Sequence, residues 1–411
     1  MNRRSDSKVQ THFQQLGVSG VSFPSKICRA VAFGILTATL GLSSAGAGQP
    51  PVIKIFDAPE AGNTPGTVQG TVAVGINDFG VIAGSTRDNN SVRHGFLRYP
   101  NGKFVTFDHP LAGTDGSLEQ GTRVAGLNAL GAVAGSVRTP VTVGIPFVDI
   151  PFVRDPDGTF HNVDFPNFAG GDGNAINLWG VMVGNLLLTT DNNSPAFLHF
   201  HGFIVQPSGK LTLFDPPGSQ QTNIPPYSIN DFGAITGDYW TCNADLSSCA
   251  VHGFVRTADG KYKSFDVPGA SADGLDGGGT YPQGINDLGE VSGYYVDANF
   301  VFHGFVRSPD GHITTFDVRT TCTDTPSPPA DCAFEGTFPA NVNVVGGVGG
   351  TYYGEDGNPH GFWRDANGTI TRFDYPGANY FTQPTAINDA GQITGIVYDP
   401  NLVVHGLLVT P

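Results

Sequence analysis

Beyond residue 50, apolar residues come in short runs, interrupted every few positions by Gly, Asn, Asp or Pro. That pattern fits many short strands joined by turns and does not fit long helices. One such run is Lys103-Phe104-Val105-Thr106-Phe107, where the alternation expected of a half-buried strand is present but imperfect. Turn pairs sit between the runs: Asn101-Gly102, Asp157-Gly158, Ser208-Gly209, Asp259-Gly260, Asp310-Gly311 and Asn367-Gly368. Such pairs flanked by apolar residues predict β-hairpins.

The runs repeat. An I-N-x-x-G pattern recurs seven times, with Asn77, Asn128, Asn177, Asn230, Asn286, Asn343 and Asn388 as its markers and a period of about 52 residues. Each Asn is followed by one Gly three residues on and another seven residues on, as Gly80 and Gly84 follow Asn77. A second motif is His-Gly-Phe, at His94, His201, His252, His303 and His360, with His405-Gly406-Leu407 as a variant and Ile150-Pro151-Phe152 as a degraded copy. A third, usually Phe-Asp, ends at Asp57, Asp108, Asp164, Asp215, Asp266, Asp317 and Asp374. The aromatic of one copy is replaced by Val163.

Spacing is rigid inside two blocks and loose between them. From the motif Phe to the next Asp is always twelve residues, as from Phe96 to Asp108. A hairpin explains a rigid block, because a one-residue slip turns every side chain to the wrong face. Each repeat therefore reads as four antiparallel strands, A to D, with A–B and C–D joined by tight turns. The last repeat stops at Pro411, after strand C, and the missing strand D stands at the other end as residues 52–57. The expected fold is all-β: a seven-bladed β-propeller of four-stranded blades, its ring closed when strand 52–57 completes the C-terminal blade.

Composition changes the picture mainly at the N-terminus. Arg3, Arg4, Lys8, Lys26 and Arg29 precede an apolar run from Ala30 to Leu42, and Ala45-Gly46-Ala47 follows. Residues 1–47 read as a secretory signal peptide, against the alternative of a retained membrane anchor. Residues 48–411 then form a single domain. The five basic residues and Asp6 give the leader +4, so about −19 of the chain's net −15 lies on the rest. That acidity argues against nucleic acid and anionic membrane surfaces as partners. No second long apolar segment exists, so no membrane span is expected after cleavage. Export, to the exterior or periplasm, permits disulfides Cys242–Cys249 and Cys322–Cys332, with zinc as the competing reading of these pairs.

The tight turns share one face, and the B–C and D–A loops share the other. All length variation lies on that second face, in segments 137–148, 185–199, 241–250 and 318–340. Variable loops on a rigid frame are where ligands usually bind. The candidate ligand residues are the aromatics at these strand ends: Tyr227, Tyr239, Trp240, Tyr281, Tyr295, Tyr353, Tyr380, Phe381 and Tyr398. They suit stacking on a sugar or a peptide, and equally suit packing between blades. The repeated His is expected to bond within its own blade, to the Phe-Asp carboxylate or a backbone group. The repeated Asp is also read as a cap of the D–A turn. No catalytic, metal or cofactor motif stands out, and loop acids such as Asp238, Asp273, Asp276 and Asp297 offer no selectable pair for glycoside chemistry.

The combined repeat I-N-x-x-G-x-x-x-G, H-G-F, F-D-x-P-G resembles the extracellular HAF-repeat proteins of bacteria over residues 52–411. The resemblance implies export and a propeller-like repeat fold, and it implies no activity. The expected role is a monomeric, secreted binding module for a glycan, peptide or protein at the channel mouth. A secreted carbohydrate-active hydrolase or lyase and a structural envelope protein are the alternatives.

Overall fold

Among the described residues the regular elements are strands, apart from one 3₁₀ turn at Gly116–Leu118. The computed structural model describes residues 51–140, 147–190, 200–219, 226–243, 248–272, 278–318, 336–354, 356–377 and 381–411. The residues before 51, Cys322, Cys332, Tyr380, Asp273 and Asp276 lie outside the described residues. Twenty-eight strands are found among the described residues. In the first repeat, Gly70–Ile76, Ile82–Arg87, Arg93–Arg98 and Phe104–Phe107 pair in sequence order, each antiparallel to the last. The other repeats follow the same order. The N-terminal strand Val52–Phe56 pairs antiparallel with the C-terminal strand Val404–Thr410, Val52 opposite Thr410 and Phe56 opposite Gly406. Strand 52–57 thus takes the place expected of it. The four-stranded units are not isolated sheets: single parallel bridges, Gly70–Val404, Arg93–Gly121 and Phe302–Gly336, tie some units to the next.

The motif asparagines explain how the units are held together. All seven are buried. Each Oδ1 accepts the backbone N–H four residues on, which closes the A–B turn. Each Nδ2 donates, at 2.8–3.2 Å, to the backbone carbonyl of the corresponding asparagine in the next repeat. The last donates to the first, Asn388 Nδ2 to Asn77 O at 2.9 Å. Beside it, Asp389 N–H donates to Asp78 Oδ1 at 2.9 Å and Thr385 Oγ1 to Ala73 O at 3.1 Å. One buried amide therefore sets a turn and joins two repeats, leaving neither half unpartnered.

The glycines and aromatics of the other motifs nest within a repeat. A Cβ on Gly84 of strand B would lie 2.7 Å from Cζ of Phe96, the His-Gly-Phe ring beside it on strand C. A Cβ on Gly253 would lie 2.8 Å from Cζ of Phe265, the Phe-Asp ring on strand D. Glycine is required at both places because the neighbouring ring occupies the space of a side chain. The rings so seated are among the most buried: Phe96, Phe152, Phe203, Phe254, Phe305 and Phe362 are fully covered. Hydrophobic clusters lie between successive units and draw on both, as when Val183 and Phe214 pack with Ile229, Ile235, Tyr239 and Phe254. Ala386 of the last repeat packs with Ala73, Ile76 and Phe96 of the first. The core is a set of sheet-to-sheet interfaces and not one central mass.

The sequence motifs do not show a further inter-repeat contact that the structure does. Two residues after the motif Phe, an arginine lays its guanidinium on the Phe-Asp ring of the preceding unit: Arg98 on Phe56, Arg154 on Phe107, Arg256 on Phe214, Arg307 on Phe265 and Arg364 on Phe316, at 4.4–5.2 Å.

Replacing Asn388 by Ala removes the bond to Asn77 and leaves buried backbone groups unpaired. Chemical denaturation should show a loss of about 3 kcal/mol. A loss below about 1 kcal/mol would mean that the amide circuit does not hold the repeats together.

Candidate ligand site at the central cavity

The first strand of every repeat borders one cavity of about 820 Å³. Side chains alternate along a strand, and the residue three before each motif asparagine turns inward: Val74, Ala125, Asn174, Tyr227, Gln283, Ala340 and Thr385. The wall is uneven. On the side of the fourth to sixth repeats it is aromatic, with Tyr227, Tyr294, Phe302, Phe338 and Tyr353. Phe338 lies 4.4 Å from Phe302, 5.3 Å from Tyr294 and 5.4 Å from Tyr353, measured between ring centres. Tyr281 stacks on Tyr294, its cross-strand partner, at 5.0 Å and 18°. Elsewhere the wall mixes aliphatic side chains such as Val74 and Leu127 with small, hydroxyl and amide side chains, including Asn174, Gln383 and Thr385. The lining side chains among the described residues are all neutral.

Behind the aromatic wall stands Asp238, on strand Ile235–Cys242 and only 2% exposed. Sequence reading placed it among the loop acids; the strand extends through it and its carboxyl is turned inside. The Tyr227 hydroxyl donates to that carboxyl, and Oδ1 has no hydrogen-bond partner. Loss of hydration pushes its pKa up to about 8, although the Tyr227 bond pulls the other way. Burial and the nearby Asp238 also push the phenols of Tyr227, Tyr281 and Tyr294 upward.

The aromatics expected at the mouth divide among several places. Tyr227 and Tyr353 line the cavity and Tyr281 backs it. Tyr239 and Tyr295 turn to the other face of their sheets. Tyr239 packs 5.3 Å from the His252 ring and bonds Ser264 Oγ at 2.8 Å, and Tyr295 stacks on His303 at 4.8 Å. The reason is parity: Gly237 and Tyr239 share one side of the strand, Asp238 the other. Trp240 is half-buried opposite Val251, and Phe381 meets Tyr398 edge-on at 4.5 Å. Tyr294, beside Tyr295 at the end of a second strand, also lines the cavity; Phe302 and Phe338 were missed. Variation at one fixed position marks Tyr294 and Asp238 and gives no signal for Phe302 or Phe338: the residue after the second motif glycine is Ser85, Ser136, Asn185, Asp238, Tyr294, Thr351 or Ile396.

The motif histidines pair with the Phe-Asp carboxylates through Nδ1, at 2.8–3.0 Å: His94–Asp108, His252–Asp266, His303–Asp317, His360–Asp374 and, across the two chain ends, His405–Asp57. His201 pairs with Asp215 at 2.9 Å. The pair lies within one unit, as the spacing implied. The cap of the D–A turn is a different residue from the one expected: the N–H after the Asp donates to a strand-A threonine of the next repeat, as Ala58 does to Thr71 and Val267 to Thr280. The carboxylate is engaged by histidine instead. Asp297 accepts the N–H groups of Asn299 and Val301 in its own turn. Cys242 and Cys249 form the expected disulfide at the end of a hairpin. Among the described residues no three His, Cys, Asp or Glu side chains are placed to share a metal ion, and no helix is long and apolar enough to cross a membrane.

No family model matches this chain, and no curated protein matches it significantly. Similar solved structures include a streptogramin B lyase, at 13% identity over 88% of this chain and 98% of that one, with a TM-score of 0.49. The BP39L lectin from Burkholderia pseudomallei is 10% identical over 81% of this chain and 94% of its own, at 0.48. The Aleuria aurantia lectin, described as a six-bladed β-propeller with a fucose recognition mode, is 12% identical over 73% and 93%, at 0.38.

The buried carboxyl has a consequence for stability. Its folded pKa, about 8, lies above the unfolded value of about 3.9, so the native state loses stability as pH rises between the two and loses no more above them. Asp238→Asn keeps the shape and removes the charge. Its melting temperature relative to wild type should climb from pH 5 to pH 8.5 and level off by pH 9.5, a relative gain in stability of about 4 kcal/mol. A difference that stays constant across that range would show that the carboxyl is not held neutral.

Proposed function

We propose that this chain is an exported, closed seven-bladed β-propeller that binds a neutral, hydroxyl-rich ligand, a glycan, at the variable-loop mouth of its central cavity. The observation that carries this reading is the wall itself. One arc offers aromatic faces for stacking on sugar rings, and the rest sets amides and hydroxyls that donate and accept among aliphatic side chains. A neutral wall favours a neutral ligand. Glycoside hydrolysis needs two carboxyl groups facing across a bound sugar, and the described lining is made of other residue types.

Position supports the choice of face. Phe302 opens a third strand, Tyr353 ends a second strand and Phe338 stands near the start of a first strand, all at the ends that lead into variable loops. Closure is supported by the asparagine circuit, by the pairing of Val52–Phe56 with Val404–Thr410, and by His405 reaching Asp57 at 2.8 Å. Export is supported by the leader-like N-terminus and the Cys242–Cys249 disulfide. Membership of the HAF-repeat proteins is part of the same proposal and rests on the repeat motifs.

The mature chain should bind a subset of neutral oligosaccharides on a glycan array. Tyr353→Ala should weaken the strongest by at least about tenfold, the loss of one stacking ring and its covered area, with little change in melting temperature. Absence of any glycan signal, or equal binding by the Tyr353 variant, would remove the reading.

A further inference from the structure

At five unit boundaries the space between sheets is filled by the same pair: an arginine on the third strand and the Phe-Asp ring of the unit before it. In four of them the guanidinium Nη1 also donates to the carbonyl of the residue that follows the arginine, at 3.2–3.4 Å: Arg154 to Asp155, Arg256 to Thr257, Arg307 to Ser308 and Arg364 to Asp365. Its other amino group lies against the glycine of the C–D turn, as Arg256 Nη2 does at Gly260. Each of these four slots is thus built for a planar cation, with a ring beneath it and a turn carbonyl at its end.

The boundary between the second and third repeats breaks this rule on both sides. Val163 stands where the ring would be and Val205 where the arginine would be. Between the sixth and seventh repeats Val409 also replaces the arginine, but Phe373 remains and Trp363 packs in beside it. At this doubly shortened boundary a cavity of about 610 Å³ opens, with Val163 and Val205 in its wall. Its mouth is on the tight-turn face, opposite the glycan site proposed above. The equivalent turn, Gln206 to Gly209, still lines it, so the carbonyl end of the slot is kept. Two aromatic rings, Phe160 and Trp179, replace the missing one, and the Asp155 carboxylate lies at the rim, 2.9 Å from His161 Nε2.

We propose that this cavity is an arginine socket: it receives the guanidinium of an arginine side chain from a partner polypeptide, in the orientation that the chain's own arginines take at the other boundaries. Charge supports the occupant. The chain carries a net charge of −15, and the rim supplies a carboxylate. A basic partner is drawn to the surface, and the planar fork of arginine matches a ring face and a carbonyl as the point charge of lysine does not.

The test is a calorimetric titration of the mature chain with N-acetyl-arginine amide, N-acetyl-lysine amide and N-acetyl-citrulline amide. Arginine should bind about tenfold more tightly than either of the others, since lysine lacks the fork and citrulline lacks the charge. Val205→Arg fills the socket from within and should abolish arginine binding while raising the melting temperature. Val163→Phe closes the opposite wall and serves the same purpose should the first variant fail to fold. Asp155→Asn should weaken arginine binding several-fold and leave citrulline unchanged. Arginine binding no tighter than lysine, no binding at all, or undiminished binding by a folded Val205→Arg or Val163→Phe variant would each overturn the proposal. The glycan reading is untouched by any of these results, because it concerns the other face.

Discussion

Everything in this structure leans on one side-chain amide used seven times. An asparagine at the end of each first strand accepts from its own turn and donates to the carbonyl of its counterpart in the next unit. Either job alone could be done by another residue: Asp or Ser can close a turn, and a backbone N–H can reach a carbonyl. Asn carries an acceptor and a donor on separate atoms of one short planar group, so one side chain can do both at once in two directions. Because every donated bond needs a following unit, a linear row would leave the last amide unsatisfied in a buried place. Here Asn388 finds Asn77, and the series has no loose end.

That constraint sets what the remaining motifs must do. Units held at a fixed spacing on the inside must be filled to a fixed depth outside. The nested Gly–Phe contacts perform this within a unit, and the arginine on the preceding ring performs it between units. The arginines lie in partly dry surroundings, and burial lowers the pKa of Arg98, Arg154, Arg307 and Arg364. Their Nε atoms find no partner. Stacking and one carbonyl bond are therefore set against a desolvation cost, and an apolar pair can replace the arrangement at modest loss. This explains why the slot tolerates valines at two boundaries while no asparagine of the inner circuit is replaced.

Much of this was legible in the chain because it depends on spacing. Twelve residues from Phe96 to Asp108 imply a hairpin, and a hairpin of that length brings His94 opposite the carboxylate it binds. The same counting placed residues 52–57 beside Val404–Thr410. What spacing does not encode is which way an unaligned side chain turns between two units. Tyr239 and Tyr295 looked like mouth residues by position and are packing residues by parity, whereas Tyr294, one step away, lines the cavity and Asp238 is buried behind its wall. The inter-unit arginines were hidden for a related reason: their partners are about 40 residues earlier in the chain, outside any local pattern.

The two proposed sites follow from a single logic. In a molecule made of seven near-copies, a position where all copies agree is fixed by the frame. Where one copy departs, the frame has no use for the change. Asp238 and Tyr294 occupy a position held elsewhere by Ser85, Ser136, Asn185, Thr351 and Ile396; Tyr294 adds a ring to the aromatic arc of the cavity wall, and Asp238 puts a buried carboxyl behind it. Val163 and Val205 occupy positions held elsewhere by a ring and an arginine, and they are what opens the second cavity. A buried carboxyl with one unpartnered oxygen and a gap between sheets both cost stability. Both costs fall where a repeat departs from its siblings, so the departures, more than the motifs, mark the two proposed sites.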